Sequence, residues 1–152
     1  MRVFTSPAEL EAAVGAELGV SGWFTVGQDR IDAFAEATGD RQWIHIDVER
    51  ARRESPYRET VAHGYLTLSM LPAFINGVRR FEGVRQSLNY GSNRVRFPAP
   101  VIAGSRLRGR VRLREAVETP DGGLRVVYET TVEIEGGERP ACVAETIAVH
   151  YW

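Results

Sequence analysis

Two hydrophobic periods divide this chain. Before residue 82 apolar side chains recur at the 3.6-residue spacing of helices, and after it they alternate with polar ones at the two-residue period of strands. Ser6-Pro7-Ala8-Glu9 sets an N-cap serine before a proline at the first helical position and a glutamate at N3. This capping box opens a short helix that Gly15 closes. A strand-like run, Trp23-Phe24-Thr25-Val26, follows. Ile31, Phe34, Ala35 and Thr38 then fall at i, i+3, i+4 and i+7, one face of a helix ending near Gly39. Residues 39–46 (GDRQWIHI) read as a loop, and Asp47 caps a short polar helix running to Glu54. The most hydrophobic stretch, GYLTLSMLPAFING from Gly64 to Gly77, is apolar on nearly every side. It predicts a helix buried in a core, which Pro72 should kink or confine to one side.

In the second part, Arg106, Arg108, Arg110, Arg112 and Arg114 alternate with Leu107, Gly109, Val111 and Leu113. Tyr128, Thr130, Val132 and Ile134 alternate with Glu129, Thr131, Glu133 and Glu135. Asp121-Gly122 lies between these strands and is a preferred two-residue hairpin turn. That turn sets Arg114 opposite Glu129, Arg110 opposite Glu133 and Arg108 opposite Glu135, with the apolar positions on the other face. Acidic partners make the arginine row a solvated sheet face rather than a nucleic-acid stripe. Ala141–Tyr151 forms a last strand. Helices, one buried helix and a run of antiparallel strands describe an α+β fold in a single domain over residues 1–152, with a sheet covering the apolar helix.

Composition narrows the partners. The 152 residues suffice for one core, and 43% hydrophobic residues suggest neither disorder nor a membrane protein. No apolar run approaches the roughly 18 residues of a membrane span. The start, MRVFTSPAELEAAVG, turns acidic and polar too early for a secretory signal. Nineteen basic against 20 acidic residues, net charge −1, argue against nucleic acid or an anionic membrane as a partner. Cys142 is the only cysteine, which excludes an internal disulfide and makes a reducing cytoplasm the expected compartment.

Asp40 and His45 stand five apart beside Gly39. A carboxylate and an imidazole close together can orient one water and move its proton near neutral pH. The plainer readings are a turn-forming aspartate and a structural histidine. His63-Gly64 precedes the buried helix, where a glycine leaves backbone N–H groups open to an oxygen gaining negative charge, or simply makes a turn. Asp40, His45, Asp47, Glu49 and His63 show no strong zinc spacing, so no metal is expected. Cys142 reads as small packing in a strand. A G-x-S-x-G elbow, a phosphate loop and a dinucleotide fingerprint are all missing.

The stretch Phe34-Ala35-Glu36-Ala37-Thr38-Gly39-Asp40-Arg41-Gln42-Trp43-Ile44-His45, with Ala51 six residues on, resembles the hydratase 2 motif of MaoC-like dehydratases. Ala62-His63-Gly64-Tyr65-Leu66-Thr67 is similar to the segment that begins that family's central helix. Asn89-Tyr90-Gly91 and Val95-Arg96-Phe97-Pro98-Ala99-Pro100-Val101 resemble the strand region after it. The likeness covers roughly residues 20 to 150 in the same order and is nearest to the NodN-like branch, which includes mycobacterial-type 3-hydroxyacyl-thioester dehydratases.

This resemblance implies a hot-dog fold, a long helix wrapped by a curved antiparallel sheet, paired into a homodimer. It implies reversible hydration of trans-2-enoyl-CoA or the acyl carrier protein thioester to the (3R)-3-hydroxyacyl form, without cofactor or metal, as in fatty acid metabolism. It assigns catalysis to Asp40, His45 and Gly64, and substrate binding to Gln42, Ala62, His63, Tyr65, Asn89, Arg96 and Phe97. Two departures stand out. Gln42-Trp43 replaces the common Asn-Pro, and Pro72 replaces a serine of short-chain hydratases. A hot-dog acyl-CoA thioesterase and a non-catalytic acyl-thioester binding module are the alternatives.

Overall fold

The computed structural model describes residues 1–152. In chain order the elements are β1 (Arg2–Phe4), α1 (Pro7–Glu11), β2 (Glu17–Val20), β3 (Phe24–Val26), α2 (Gln28–Thr38), α3 (Trp43–Ile46) and α4 (Val48–Glu54). There follow α5 (Gly64–Ser69), α6 (Leu71–Val78), β4 (Arg79–Phe81), β5 (Gln86–Arg96), β6 (Ser105–Glu118), β7 (Leu124–Ile134) and β8 (Cys142–Tyr151). Six of the strands form one antiparallel sheet in the order β2-β6-β7-β8-β5, with β3 also on β6. A parallel β1–β4 pair, not foreseen from the sequence, stands apart.

The capping box forms with a variation. Ser6 Oγ accepts the Glu9 N–H at 3.4 Å, while the Glu9 carboxylate accepts the Thr5 N–H at 2.6 Å rather than that of Ser6. The helix on Ile31 and Ala35 spans residues 28–38 as the spacing requires, and Asp47 caps α4 by accepting the Arg50 N–H at 2.9 Å.

The central helix is not one long rod. It is interrupted at Met70, and Pro72 lies in the first turn of α6, where a missing N–H and a fixed φ cost nothing. Nor is it buried all round. Leu66, Met70, Leu71, Phe74, Ile75 and Val78 are buried, whereas Tyr65, Ser69, Pro72, Ala73 and Asn76 are exposed. The buried row links two core clusters. Leu66 to Phe74 pack with Val26, Ile31, Val101 and Leu107, while Ile75 and Val78 pack with Phe4, Leu10, Val111 and Leu113. Each buried aliphatic side chain contributes about 1.5–3 kcal/mol, so this row is what fastens helix to sheet.

The β6–β7 hairpin has a different register from the one a two-residue turn sets. Arg108 faces Glu133, Arg110 faces Thr131 and Arg112 faces Glu129. The Gly122 N–H donates to Thr119 O at 3.0 Å and the Thr119 N–H to Gly123 O at 2.8 Å, so the turn is longer than Asp121-Gly122. A bulge between Leu113 and Glu115 adds one further residue of offset. Beyond the bulge the total slip is two residues, which keeps residues 106–113 on their expected faces, while Ala116, on the turn side of the bulge, packs on the core. Two of the expected ion pairs therefore persist as diagonal contacts, Arg110–Glu133 at 3.0 Å and Arg114–Glu129 at 3.8 Å. The third does not: Glu135 pairs with Arg106 at 2.8 Å, Arg108 pairs with the Glu133 it faces at 2.6 Å, and Arg110 also reaches Glu17 at 2.9 Å. At the opposite edge all but one residue of β5 is exposed, and its outer backbone edge has no strand beside it.

Candidate active site

Residues 38–46 are held by α2 at one end and by a backbone hydrogen bond from Val61 to Ile44 at the other. Thr38 Oγ1 donates to Phe34 O at 2.7 Å, and Gly39 then takes φ 77°, a left-handed cap that a residue with Cβ adopts at a cost. The chain reverses there and delivers Asp40 to the surface. The expected loop then winds into one helical turn, α3, which carries His45 inward to 7% exposure.

His45 is fixed from several sides. Its Nδ1–H donates to Val61 O at 2.6 Å, and the Val61 N–H donates to Ile44 O at 3.0 Å. Residues 60–62 are anchored in turn by Ala62 N–H on Val101 O at 2.7 Å and Ala103 N–H on Thr60 O at 3.0 Å. Gln28 closes the frame: its Nε2 donates to His45 O at 2.8 Å and to Asp32 Oδ1 at 2.8 Å, and its Oε1 accepts the Thr60 hydroxyl. A carbonyl only accepts, so His45 is protonated at Nδ1 and its Nε2 carries a free lone pair. Burial is the main cause that lowers the His45 pKa. The Val61 hydrogen bond opposes it, His63 lowers it further and Asp40 raises it.

His63 is buried against the same spot. Its ring stacks on His45 with centroids 3.7 Å apart and packs on Phe34 at 4.9 Å. Its Nε2–H donates to Asp40 O at 2.9 Å, and its Nδ1 is buried without a partner. One ligand atom each from Asp40, His45 and His63 lies within 4.8 Å of the others, the group best placed to share a water or a cation. Asp47 and Glu49 are engaged elsewhere, by the α4 cap and by Arg52 at 2.8 Å.

Gly64 follows His63 and starts α5. Neither its N–H nor that of Tyr65 donates to any acceptor in the chain. A Cβ at Gly64 would lie 3.0–3.2 Å from the Phe97 ring, so only hydrogen fits under that ring without a shift. Phe97, Ala62, Gly64, Thr67 and Val101 border a cavity of about 260 Å³, and Tyr65 stands edge-on to Phe97 at 6.2 Å. Because α5 has only six residues, the open N–H matters here more than any helix dipole.

The site residues named from the sequence thus fall into groups. Asp40, His45 and His63 converge; Ala62, Gly64 and Phe97 adjoin them through His63, with Tyr65 at the rim. Gln42 is exposed at the N-cap of α3. Asn89 lines a different and larger groove on β5, and Arg96 ends that strand, exposed, with its guanidinium on Val95 O at 2.7 Å. Gln28, which no motif flags, is the positioning residue that sequence reading misses. A glutamine in a first helical turn looks like any solvated polar residue until its partners are known.

The model of the MaoC-like domain matches residues 9–136. This chain belongs to the MaoC-like family. Among curated members, 3-hydroxyacyl-thioester dehydratase Z of Mycobacterium tuberculosis is 47% identical over 147 residues, covering 97% of each chain. Nodulation protein N of Rhizobium leguminosarum bv. viciae is 48% identical over 145 residues, 95% of this chain and 90% of that one. Among solved structures, an unliganded R-hydratase from Pseudomonas aeruginosa superposes with TM-score 0.71 at 25% identity, covering 93% of this chain and 83% of that one. The (R)-hydratase of A. caviae, at TM-score 0.67 and 20% identity over 88% of this chain and 96% of that one, shares the hot-dog fold. This α+β chain is a hot-dog protein, and its helix is interrupted within that fold.

Proposed function

We propose that this chain is a hydro-lyase that adds water reversibly to a trans-2-enoyl thioester, giving the (3R)-3-hydroxyacyl thioester, with residues 1–152 acting as one domain. The observation that carries the reading is the state of His45: one ring nitrogen is committed to Val61 O, and the other is open beside Asp40. The likeness to a 3-hydroxyacyl-thioester dehydratase supports the same chemistry. Asp40 and His45 hold one water between them. The Gly64 N–H, free of any acceptor in the chain, takes the thioester oxygen and makes Cβ electrophilic. The water oxygen bonds to Cβ while a proton is delivered to Cα on the same face, and elimination runs the same steps backward. Proton transfer contributes on the order of 10²–10⁴-fold and the carbonyl donor on the order of 10²–10³-fold.

Ala62, His63, Tyr65 and Phe97 border the reacting end. Gln42, Asn89 and Arg96 lie farther out as contacts for the acyl group or its carrier, coenzyme A or acyl carrier protein. The exposed edge of β5 and the open face of α5 and α6 suit a second copy of the chain, so the working form is a homodimer that encloses the acyl group. No helix is long and apolar enough to cross a membrane, and the lone, buried Cys142, its thiol pushed up to about 11 by burial, suits the reducing cytoplasm. The test follows crotonyl thioester absorbance beside a thiol reagent. Loss of the double bond without thiol release is the expected result. Thiol release indicates a thioesterase instead, and neither signal indicates a binding module.

A further inference from the structure

A second cavity is larger than the one beside Gly64. It is a groove of about 720 Å³ between α5–α6 and strands β5 and β8. Leu68, Leu71, Pro72 and Ile75 make its helix wall mostly apolar, as successive turns of one face. Its end farthest along the helices from Gly64 is polar. Arg79, which caps α6, is the only charged residue among those lining the groove. Its guanidinium packs 4.2 Å from the Phe81 ring centroid and 5.3 Å from that of Tyr128. One Nη donates to Asn76 Oδ1 at 3.2 Å, Nε is buried without a partner, and no carboxylate lies within ion-pair distance.

Beside it a chain of polar groups floors the groove. Tyr128 Oη meets His150 Nε2 at 3.1 Å, His150 Nδ1 meets Ser87 Oγ at 2.8 Å, and Thr146 Oγ1 is buried without a partner. Burial, and then the nearby Arg79 charge, lower the His150 pKa to about 3, so at neutral pH this ring supplies no second positive charge. Every arginine of the β6–β7 hairpin is matched by a glutamate or lies open to water, whereas Arg79, in β4, is partly enclosed and unmatched. A half-buried guanidinium without a counter-ion is costly to keep, and its planar fork is shaped for a carboxylate.

We propose that the Arg79 end of this groove binds the terminal carboxylate of an ω-carboxyacyl thioester, so that the preferred substrates carry an acid group at the far end of the acyl chain. This rests on the enoyl-thioester reading given above. From Gly64 to Arg79 the two helices run roughly 20 Å at 1.5 Å per residue. The acyl chain must bridge that span along the apolar wall, and short ω-carboxyacyl groups should gain nothing from Arg79.

The experiment compares two trans-2-enoyl-CoA substrates of equal, long chain length, one ending in a methyl group and one in a carboxylate. The wild-type protein should favour the carboxylate by on the order of 10–100-fold in kcat/KM, the worth of a charge-assisted pair. Arg79→Gln should abolish the preference by lowering kcat/KM for the carboxylate substrate alone, and Arg79→Lys should retain part of it. A wild-type preference for the methyl end, or equal use of both, overturns the proposal without any variant. So does an Arg79→Gln protein whose substrate ratio is unchanged while its dimer weakens in sedimentation, since Arg79 then serves the interface. If neither substrate is hydrated, the hydratase reading fails by itself. Calorimetry with a saturated ω-carboxyacyl-CoA then decides the subsite: tighter binding than the methyl analogue in wild type but not in Arg79→Gln upholds it, and equal binding overturns it.

Discussion

His45 and His150 are both buried histidines, at 7% and 1% exposure, and both have pKa values lowered mainly by burial. Their surroundings differ in one respect that decides what each can do. His150 has both ring nitrogens engaged, by Tyr128 and by Ser87. His45 has one engaged and one open, with a surface carboxylate beside it. A ring with both nitrogens bonded is locked into a network. One with a single nitrogen bonded is held in orientation and still has a lone pair to use. Burial and a shifted pKa are therefore shared by a structural and a proposed catalytic histidine; the unspent hydrogen-bonding capacity is what separates them.

The contrast can be broken most directly by removing the open nitrogen. Asp40→Asn and His45→Gln should each lower kcat by on the order of 10²-fold or more, and the double variant should lose little beyond either single one. Near wild-type turnover by either folded variant removes the assignment. The next effect belongs to the Gly64–Phe97 contact. Gly64→Val forces the Phe97 ring away and should cut kcat/KM by on the order of 10²-fold, the scale for a misplaced reacting group, while changing the thermal midpoint less than a core truncation does.

His150→Gln should act on stability. It leaves Tyr128 or Ser87 short of a buried partner and should cost about 1–3 kcal/mol by urea unfolding at pH 7. The same ring gives stability a pH slope. Burial favours its neutral form, so as pH falls below the ordinary 6.5 the unfolded chain takes up the proton first. The stabilisation is complete above about 6.5 and is lost toward about 3, by at most roughly 1.4 kcal/mol per pH unit. Urea midpoints that stay level from pH 7 to pH 4.5 would contradict this, and His150→Gln should flatten the slope. For His45 the same direction of shift appears in activity: the acid limb of kcat/KM should fall below the ordinary histidine pKa. The smallest effect concerns the sheet face. Glu133→Gln loosens Arg108 and Arg110 together, yet both pairs are partly solvated and should contribute about 0–1 kcal/mol.

Much of this arrangement was legible in the residues. The i, i+3, i+4 spacing of Ile31, Phe34 and Ala35 and the alternation around Arg110 report burial directly, because each position faces the core on its own account. Asp40 and His45 stood out because they lie close in the chain. What escaped depends on contacts between distant segments. The open face of α5–α6 reads as core, since Tyr65, Pro72 and Ala73 extend the apolar run although they point outward. The hairpin register slipped because an Asp-Gly pair serves a longer turn as well as a two-residue one, and a bulge at Arg114 leaves no mark in the sequence. The pairing of His45 with His63, and the role of Gln28, appear only when residues 28, 45 and 60–63 meet.

The order of strands in the sheet also governs when the molecule can form. The meander β6, β7, β8 joins neighbours in the chain, but β5 has to wait for β8: Leu88 pairs with Val149 and Arg96 with Val143. During synthesis the stretch carrying Leu88 and Tyr90 therefore leaves the ribosome well before its only strand partner in this chain. Such non-local pairings are slow to close and leave a sticky segment exposed meanwhile. Until β8 arrives the β5 edge is open to the strands of other growing chains, so completion of each sheet races against misassembly. Slowing translation after β7 should raise the yield of misassembled chains, while slowing it before β5 should not.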